Sequence, residues 1–153
     1  GPTYVTMLEA LHSGEAYRRF KQNVAGADPR APISHLVGTL RETYDIVKCN
    51  LCDIVYIDGD HAASAVREDI ELARPLVRIG GLLCGDDLEM QGGDCDWDAT
   101  YAISETVDYV NGQHPGVTVA VWEAFGRVWT HNGVWAVHKT GTNAWQPPVE
   151  CSK

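Results

Sequence analysis

The spacing of apolar residues changes along the chain, and each change predicts a new element. Residues 4–24 carry apolar side chains at helical spacing, whereas residues 33–37 form a short apolar run typical of a strand. The full prediction, in chain order, is a helix over 4–24, a strand over 33–37, a helix over 39–47, a strand over 53–58, a helix over 62–78, a strand over 82–85, a helix over 99–110, a strand over 117–122 and a β-hairpin over 127–139. Helices and strands therefore alternate through most of the chain.

This alternation predicts an α/β fold, because strands separated by helices usually pair in parallel. We expect a Rossmann-like, doubly wound, mostly parallel sheet in a single domain over residues 3–142. Four apolar residues at 54–57 predict a central strand that is buried on both faces. Asn132-Gly133, between two β-rich runs, predicts a type I′ turn in a C-terminal antiparallel hairpin. Residues 143–153 are predicted to form an irregular tail.

Glycine and proline mark several of the predicted boundaries. Pro75 should kink or end the helix in which it lies, and Ile-Gly-Gly at 79–81 is predicted to be the turn that stops it. Residues 88–98, rich in Gly and Asp, are predicted to form a loop. Asn111-Gly112 is predicted to close the following helix.

The composition narrows the classes of function. The chain has 153 residues and a net charge of −9, so one domain is expected and nucleic acid is not expected as a partner. No apolar run approaches the roughly 20 residues that cross a bilayer, so no membrane partner is expected either. Five cysteines are an odd number, and Cys84 lies inside an apolar strand, which favours reduced thiols and a cytoplasmic location.

Acidic side chains and a histidine follow two of the predicted strands. Asp58, Asp60 and His61 come directly after the central strand, and Asp86 and Asp87 come after the next one. Because the carboxyl ends of parallel strands meet at one edge of a sheet, these side chains should lie together. Clustered carboxylates beside a histidine are typical of a metal or ligand site. The sequence therefore predicts such a site at this edge.

A further group of acidic residues lies in the loop that follows the second strand. Its members are Glu89, Asp94, Asp96 and Asp98. A solvated loop is the favoured interpretation, and a second contact to a cation is left open.

The run DIVYIDGDHAASAVREDIELARPLVRIGGLLCGDDLE, residues 53–89, resembles the second half of class I S-adenosylmethionine-dependent methyltransferases. It is most similar to the metal-carrying O-methyltransferases that act on small molecules and sugars. The shared pattern is an apolar strand, Asp-Gly-x-His, a helix, a glycine pair and a strand that ends in acidic residues. The resemblance covers about residues 15–139.

The resemblance implies a role for each matching position. Asp58, Asp86 and Asp87 match the carboxylates that hold Mg²⁺ or a similar divalent cation, and His61 matches a general base. Asp58, Gly59 and Asp60 match positions that contact S-adenosylmethionine, with Asp60 also placed to orient His61. Such a metal ion would hold the substrate and lower the pKa of its hydroxyl group, and the histidine would accept the proton.

The chain also departs from the family pattern. Family members begin with a strand and a glycine-rich turn that hold the cofactor, and neither is found in these residues. We therefore expect a truncated domain whose central strand has an open edge. Either the sheet closes with residues 33–37 next to residues 53–58, or another chain fills the gap. Because an open apolar edge promotes pairing with another chain, a homodimer or a partner chain is expected there.

Three functions follow from these observations. The first is a metal-assisted O-methyltransferase that acts on a small molecule or sugar hydroxyl, with a cofactor site that this chain leaves incomplete. The second is a non-catalytic methyltransferase-like module for binding or oligomerisation. The third interprets Asp58-Gly59-Asp60 as the Asp-x-Asp motif of a nucleotide-sugar glycosyltransferase.

Overall fold

A computed structural model describes residues 12–26, 30, 33–48 and 51–148. The chain forms two compact units, Gly1–Val37 and Gly38–Lys153, which are described separately. The helices are α1 (Glu15–Ala25), α2 (Leu40–Val47), α3 (Ala63–Ala73), α4 (Trp97–Ile103) and α5 (Pro115–Phe125). The strands are β1 (Cys52–Ile57), β2 (Val77–Gly85), β3 (Trp129–His131), β4 (Val134–Gly141) and β5 (Ala144–Gln146). None of the helices in the described ranges has the length and apolar character of a membrane span.

In the first unit, α1 begins just after Gly14, whose φ of 71° is left-handed. The predicted helix over 4–24 is therefore confirmed only over its second part, and residues 4–11 lie outside the described residues. The predicted strand over 33–37 is wrong, because this segment has no regular structure. Val37 is 78% exposed, and no described strand pairs with the segment to supply a hydrogen-bonded ladder.

In the second unit, the sheet has the order β1-β2-β4-β3, and β5 pairs with β4. β1 and β2 are parallel, and the pairs that involve β4 are antiparallel. The α/β, Rossmann-like class and the C-terminal hairpin are thereby confirmed. Asn132 and Gly133 both have positive φ, as a type I′ turn requires. β5 lies inside the segment predicted to be an irregular tail, which corrects that prediction over 144–146.

The prediction that the central strand is buried on both faces is wrong. Side chains alternate along β1, so that Val55 and Ile57 pack against the core while Ile54 and Tyr56 are 60% and 48% exposed. β1 pairs only with β2 among the described residues, so one of its edges has no described partner. Among the residues that the structure describes, β1 is therefore an edge strand and not a central one.

The predicted helix over 62–78 is shorter in the structure. α3 ends at Ala73, because Pro75 cannot continue a helix. The residues predicted as a stop turn, 79–81, lie instead within β2. Gly80 has a φ of 85°, and the register of β1 against β2 shifts at this irregular part of the strand.

The predicted strand over 117–122 is also wrong, because these residues lie in α5. Every residue from Pro115 to Val121 is buried, so this part of the helix shows no polar face and no helical period. α4 is shorter than the predicted helix over 99–110, and Asn111-Gly112 forms the turn of a small bridge between Val110 and Gln113. The buried core combines α3, α5 and the sheet through Val66, Ile70, Val77, Leu83, Val121, Trp135 and Val137.

Candidate functional site

The carboxyl ends of β1 and β2 meet at one edge of the sheet. Ile57 and Gly85, the last residues of the two strands, are partners in the parallel register, and the backbone N–H of Asp86 donates to the carbonyl of Ile57 at 3.1 Å. The segments that follow, Asp58 to His61 and Asp86 to Glu89, therefore start side by side. This is the arrangement that the sequence predicts.

Asp87 has an uncommon backbone conformation at this edge. Its φ is 64°, in the left-handed region that few residues other than glycine adopt, although aspartate is among the more tolerant. The neighbouring Asp86 carboxylate accepts a hydrogen bond from the Asp87 N–H at 3.0 Å. The Asp87 carboxylate contacts two histidines, His61 and His114.

His61 lies between two carboxylates. Its Nε2 is 3.0 Å from Oδ2 of Asp87, and its Nδ1 is 2.7 Å from Oδ1 of Asp108. Partial burial of the ring lowers the pKa of His61, but the hydrogen bond that the ring donates to Asp108 and the negative charges of Asp87, Asp108 and Asp60 outweigh it. The pKa of His61 therefore lies above its usual value.

His114 is the second histidine of the site, at the N-cap of α5. Its Nδ1 is 3.0 Å from Oε1 of Glu89 and 3.6 Å from Oδ1 of Asp87. Its backbone N–H donates to the other Glu89 oxygen at 3.1 Å, so the Glu89 carboxylate contacts both the ring and the backbone of His114. The His114 ring is 4.4 Å from the His61 ring and 4.9 Å from the Tyr109 ring, between centroids. We call His61, Asp87, Glu89, Asp108 and His114 the histidine–acid cluster.

Two groups within this cluster could hold a metal ion. Asp87, Glu89 and His114 offer ligand atoms within 4.8 Å of one another, and so do His61, Asp108 and His114. An imidazole nitrogen with carboxylate oxygens suits Mn²⁺, Fe²⁺ or Zn²⁺, whereas Mg²⁺ prefers an all-oxygen set. The residues present therefore fit a divalent transition metal.

Of the three carboxylates that the sequence predicts as metal ligands, only Asp87 belongs to these groups among the described residues. Asp58 and Asp86 nevertheless line one narrow cleft with Asp87 and His61. Its volume is about 10 Å³, close to the space of one water molecule. The structure thus brings the predicted residues together at the predicted edge.

The three residues predicted to contact the cofactor, Asp58, Gly59 and Asp60, line a larger cavity of about 690 Å³. Thr39 and Asp69 also line it. Burial raises the pKa of the Asp69 carboxyl, and the charge of Asp60 raises it further. We call this space the α2–β1 cavity. Its volume lies in the range of small-molecule sites.

Asp60 and Tyr56 have further roles at this edge. Asp60 Oδ1 accepts a hydrogen bond from the backbone N–H of Ala62 at 2.8 Å, just before α3 begins. Partial desolvation raises the pKa of the Tyr56 phenol, and Asp86 raises it further by its charge and a hydrogen bond. Tyr56 therefore interacts with a carboxylate at the end of β2, whereas Asp60 binds the backbone just before α3.

Asp108 and His114 are the residues of the cluster that sequence reasoning missed, and Glu89 was interpreted mainly as part of a solvated loop. His114-Pro115 is a helix-start signal, since proline is favoured in the first turn of a helix. The β-branched run after Pro115 hid this signal, because it favoured a strand. Recognition of the helix would have placed His114 at a helix end.

A sequence model of a family described as a methyltransferase domain matches residues 3–88, which is more than half of the chain. The matched part ends just after Asp87 and so includes both strand ends. No curated protein and no solved structure gave a match to the chain.

Proposed function

The chain belongs to the methyltransferase-domain family, and from that premise we propose that it transfers the methyl group of S-adenosylmethionine to a hydroxyl oxygen of a small molecule or sugar, assisted by a divalent metal ion. The observation that carries this proposal is the grouping of Asp87, Glu89 and His114 at the carboxyl ends of the strands. In open α/β sheets, this is where ligands bind.

The metal would be held by Asp87, Glu89 and His114. When bound, it would supply the Lewis acidity that lowers the pKa of a substrate hydroxyl. Asp87 would bind the metal and also contact His61, because one of its carboxylate oxygens faces His61 and the other faces His114. A substrate oxygen at the metal would thus be close to His61.

His61 would accept the proton of that hydroxyl. The carboxylates of Asp87 and Asp108 stabilise the resulting imidazolium, which is why the pKa of His61 is raised. Asp108 contacts Nδ1 and so fixes the orientation of the ring. Asp108 is in this respect a positioning residue, whereas His61 is the candidate catalytic residue.

The α2–β1 cavity is our candidate for the cofactor site. Asp58 lines both this cavity and the narrow cleft that contains Asp87 and His61, so a methyl donor in the cavity would lie next to the cluster. The carboxylates of Asp58 and Asp60 suit the ribose hydroxyls and the positive sulfonium of S-adenosylmethionine. The family membership supports the use of this cofactor.

Calorimetric titration of Mn²⁺ into the metal-free protein tests the metal site. We expect saturable binding by the wild type and a loss of at least about tenfold in affinity for Asp87→Asn, Glu89→Gln and His114→Ala. Asp98→Asn, which removes an acidic group outside the cluster, should bind like the wild type. A loss confined to Asp58→Asn and Asp86→Asn would instead assign the metal to the carboxylates singled out by the sequence.

Titration of S-adenosylmethionine, with and without Mn²⁺, tests the cofactor site. Saturable binding that weakens in Asp58→Asn would support methyl transfer.

No binding at millimolar cofactor would favour the second candidate, a non-catalytic module for binding or assembly. The specific observation in favour of that module is β1, whose apolar residues Ile54 and Tyr56 are exposed. The family match gives the glycosyltransferase alternative no support.

A further inference from the structure

A second large cavity lies at the opposite end of the sheet from the histidine–acid cluster. It has a volume of about 740 Å³. Lys139, one of its lining residues, donates to the carbonyl of Val77 at the start of β2, whereas Asp86 and Asp87 follow the end of that strand. Along a nine-residue strand, these two ends are separated by roughly 25 Å. This cavity is therefore separate from the proposed methyltransferase site.

Lys139 supplies an almost completely buried positive charge to this cavity. The residue is only 7% exposed. Its Nζ donates to the carbonyl oxygens of Arg74 at 2.8 Å and of Val77 at 2.7 Å, and it lies 5.5 Å from the centroid of the Trp145 ring. Carbonyl oxygens satisfy hydrogen-bond donors but carry no net charge. An anion that reaches this ammonium would therefore add a charge–charge interaction that the two carbonyl groups do not supply.

Arg74 supplies a second cation to the same cavity. Its guanidinium lies 4.7 Å from the centroid of the Phe125 ring and donates to the carbonyl of Ala124 at 2.8 Å. Its Nε is buried and has no hydrogen-bond acceptor among the described residues. Within the described part of the chain, neither Arg74 nor Lys139 forms an ion pair with a carboxylate. Among the described residues, the two cations that line this cavity are thus partnered only by backbone oxygens and aromatic rings.

The remaining walls of the cavity are mixed in character. Phe125 and Trp145 provide aromatic surface, and their ring centroids are 5.7 Å apart. Thr142 and Asn143, in the turn between β4 and β5, add polar side chains. Glu71 is the one acidic residue in the described lining. A ligand that fits this lining combines an aromatic ring with a negatively charged group.

We propose that this cavity, which we call the lysine–arginine cavity, binds a small aromatic anion whose carboxylate or phosphate group faces Arg74 and Lys139 and whose ring packs against Phe125 and Trp145. The anion compensates the two cations, and the rings exclude water around it, which strengthens the charge–charge contact. The proposal is independent of the function proposed above.

Calorimetric titration with simple probes tests this inference on the full chain. We expect benzoate or phenyl phosphate to bind, and the one that binds more tightly identifies the preferred anionic group. Benzamide, which keeps the ring and lacks the charge, should bind at least about tenfold more weakly. Equal affinity for benzamide would overturn the role of the cations. Inorganic phosphate that binds as tightly as phenyl phosphate would overturn the role of the rings.

Two substitutions should change the affinity for the better probe in opposite directions. Arg74→Gln should weaken binding by at least about tenfold, because it removes one of the two charges. Glu71→Gln should strengthen binding by about two- to fivefold, because it removes an exposed acid from the lining. The control is Arg19→Gln, which removes a positive charge as Arg74→Gln does, but on the exposed face of α1. It should not change the affinity for the probe.

The Glu71→Gln variant keeps the proposal testable if Arg74→Gln does not fold, because Glu71 is exposed and makes no ion pair among the described residues. Unchanged or weaker binding by Glu71→Gln would overturn the proposal. Asp87→Asn should bind the probe like the wild type, and a loss of binding in that variant would place the anion at the histidine–acid cluster instead.

Discussion

His61 and its two carboxylates show how a single residue can respond to pH. In metal-free protein, the pKa of His61 should be above the usual histidine value of 6.5, because Asp87 and Asp108 stabilise the protonated ring. Asp108→Asn should lower this pKa, and Asp98→Asn should leave it unchanged. NMR titration of the histidine ring protons measures both variants. A wild-type pKa at or below the usual value would contradict the charge arrangement described here.

The contact between His61 and Asp108 also predicts that the stability of the fold depends on pH. Since the pKa of His61 is raised on folding, the stabilisation is fully present below pH 6.5, and it is lost as the pH rises through the folded pKa. In the presence of a chelator, the gap in urea midpoint between wild type and Asp108→Asn should therefore be larger at about pH 5.5 than at about pH 8.5. A gap that widens with pH would show that Asp108 acts in another way. Because Asp108 is largely exposed, the gap should be small.

At the residue scale, the sequence predicts part of the site. Asp58, Asp87 and His61 follow strands directly, so the rule that ligands bind at strand ends locates them. His114 and Asp108 lie far along the chain from those strands, and their positions depend on how α5 and the loop before it fold back. Local sequence patterns do not show how α5 folds back onto the strand ends, so the sequence analysis did not identify His114 and Asp108 as site residues.

At the element scale, α5 approaches the site through Gly116. A Cβ atom at this position would overlap the carbonyl oxygen of His61 and would lie 2.6 Å from the backbone atoms Ala63 N and Ser104 O. Backbone atoms cannot move aside as flexible side chains do. Glycine is therefore required there for the close packing of α5 against the start of α3.

Gly116→Ala should thus displace α5 and lower the free energy of unfolding by about 3 kcal/mol, at the upper end of what overpacking typically costs. The same variant should weaken Mn²⁺ binding, because His114 lies at the N-cap of the displaced helix. Gly26→Ala, where a Cβ would meet its nearest neighbours at 3.6 Å, is the matched control and should change stability by less than about 0.5 kcal/mol. Chemical denaturation measures the stability of both. Equal stability of the two variants would show that the backbone around Gly116 can accommodate a Cβ atom, contrary to the close contact described here.

The contrast between α3 and α5 explains why some elements were predicted and others were not. α3 buries Val66, Ile70 and Ala73 on one face and keeps polar residues on another, so its period is visible in the sequence. α5 is buried around most of its circumference, so its β-branched residues resemble a buried strand. The hairpin was predicted because the Asn132-Gly133 turn is a local signal.

At the scale of the whole molecule, one edge of β1 has no partner strand among the described residues, and this leads to a prediction about assembly. An edge strand with exposed apolar side chains is a template for pairing with another chain. We therefore propose that the protein forms a homodimer, or pairs with a partner chain, along this edge. The sequence predicted the open edge of this strand. It did not predict that Ile54 and Tyr56 are exposed, because their exposure depends on which face of β1 packs against the core.

Light scattering coupled to size-exclusion chromatography tests the homodimer. Ile54→Lys should shift the wild-type dimer towards monomer, because a charged side chain on an edge strand opposes pairing. Tyr101→Lys, on α4, replaces a similarly exposed apolar residue with the same charge and should leave the dimer intact. A monodisperse wild-type monomer would count against self-association and would leave a different chain as the partner.

The left-handed backbone of Asp87 has a consequence for how this protein can change over evolutionary time. A non-glycine residue at a φ of 64° destabilises the fold by on the order of 1 kcal/mol, and glycine would relieve that strain. Glycine would also remove the carboxylate that contacts both histidines. Descendants that no longer needed the histidine–acid cluster could become more stable by a single change, the replacement of Asp87 by glycine. The identity of residue 87 in such descendants would then report whether the ancestral chemistry had been kept or abandoned.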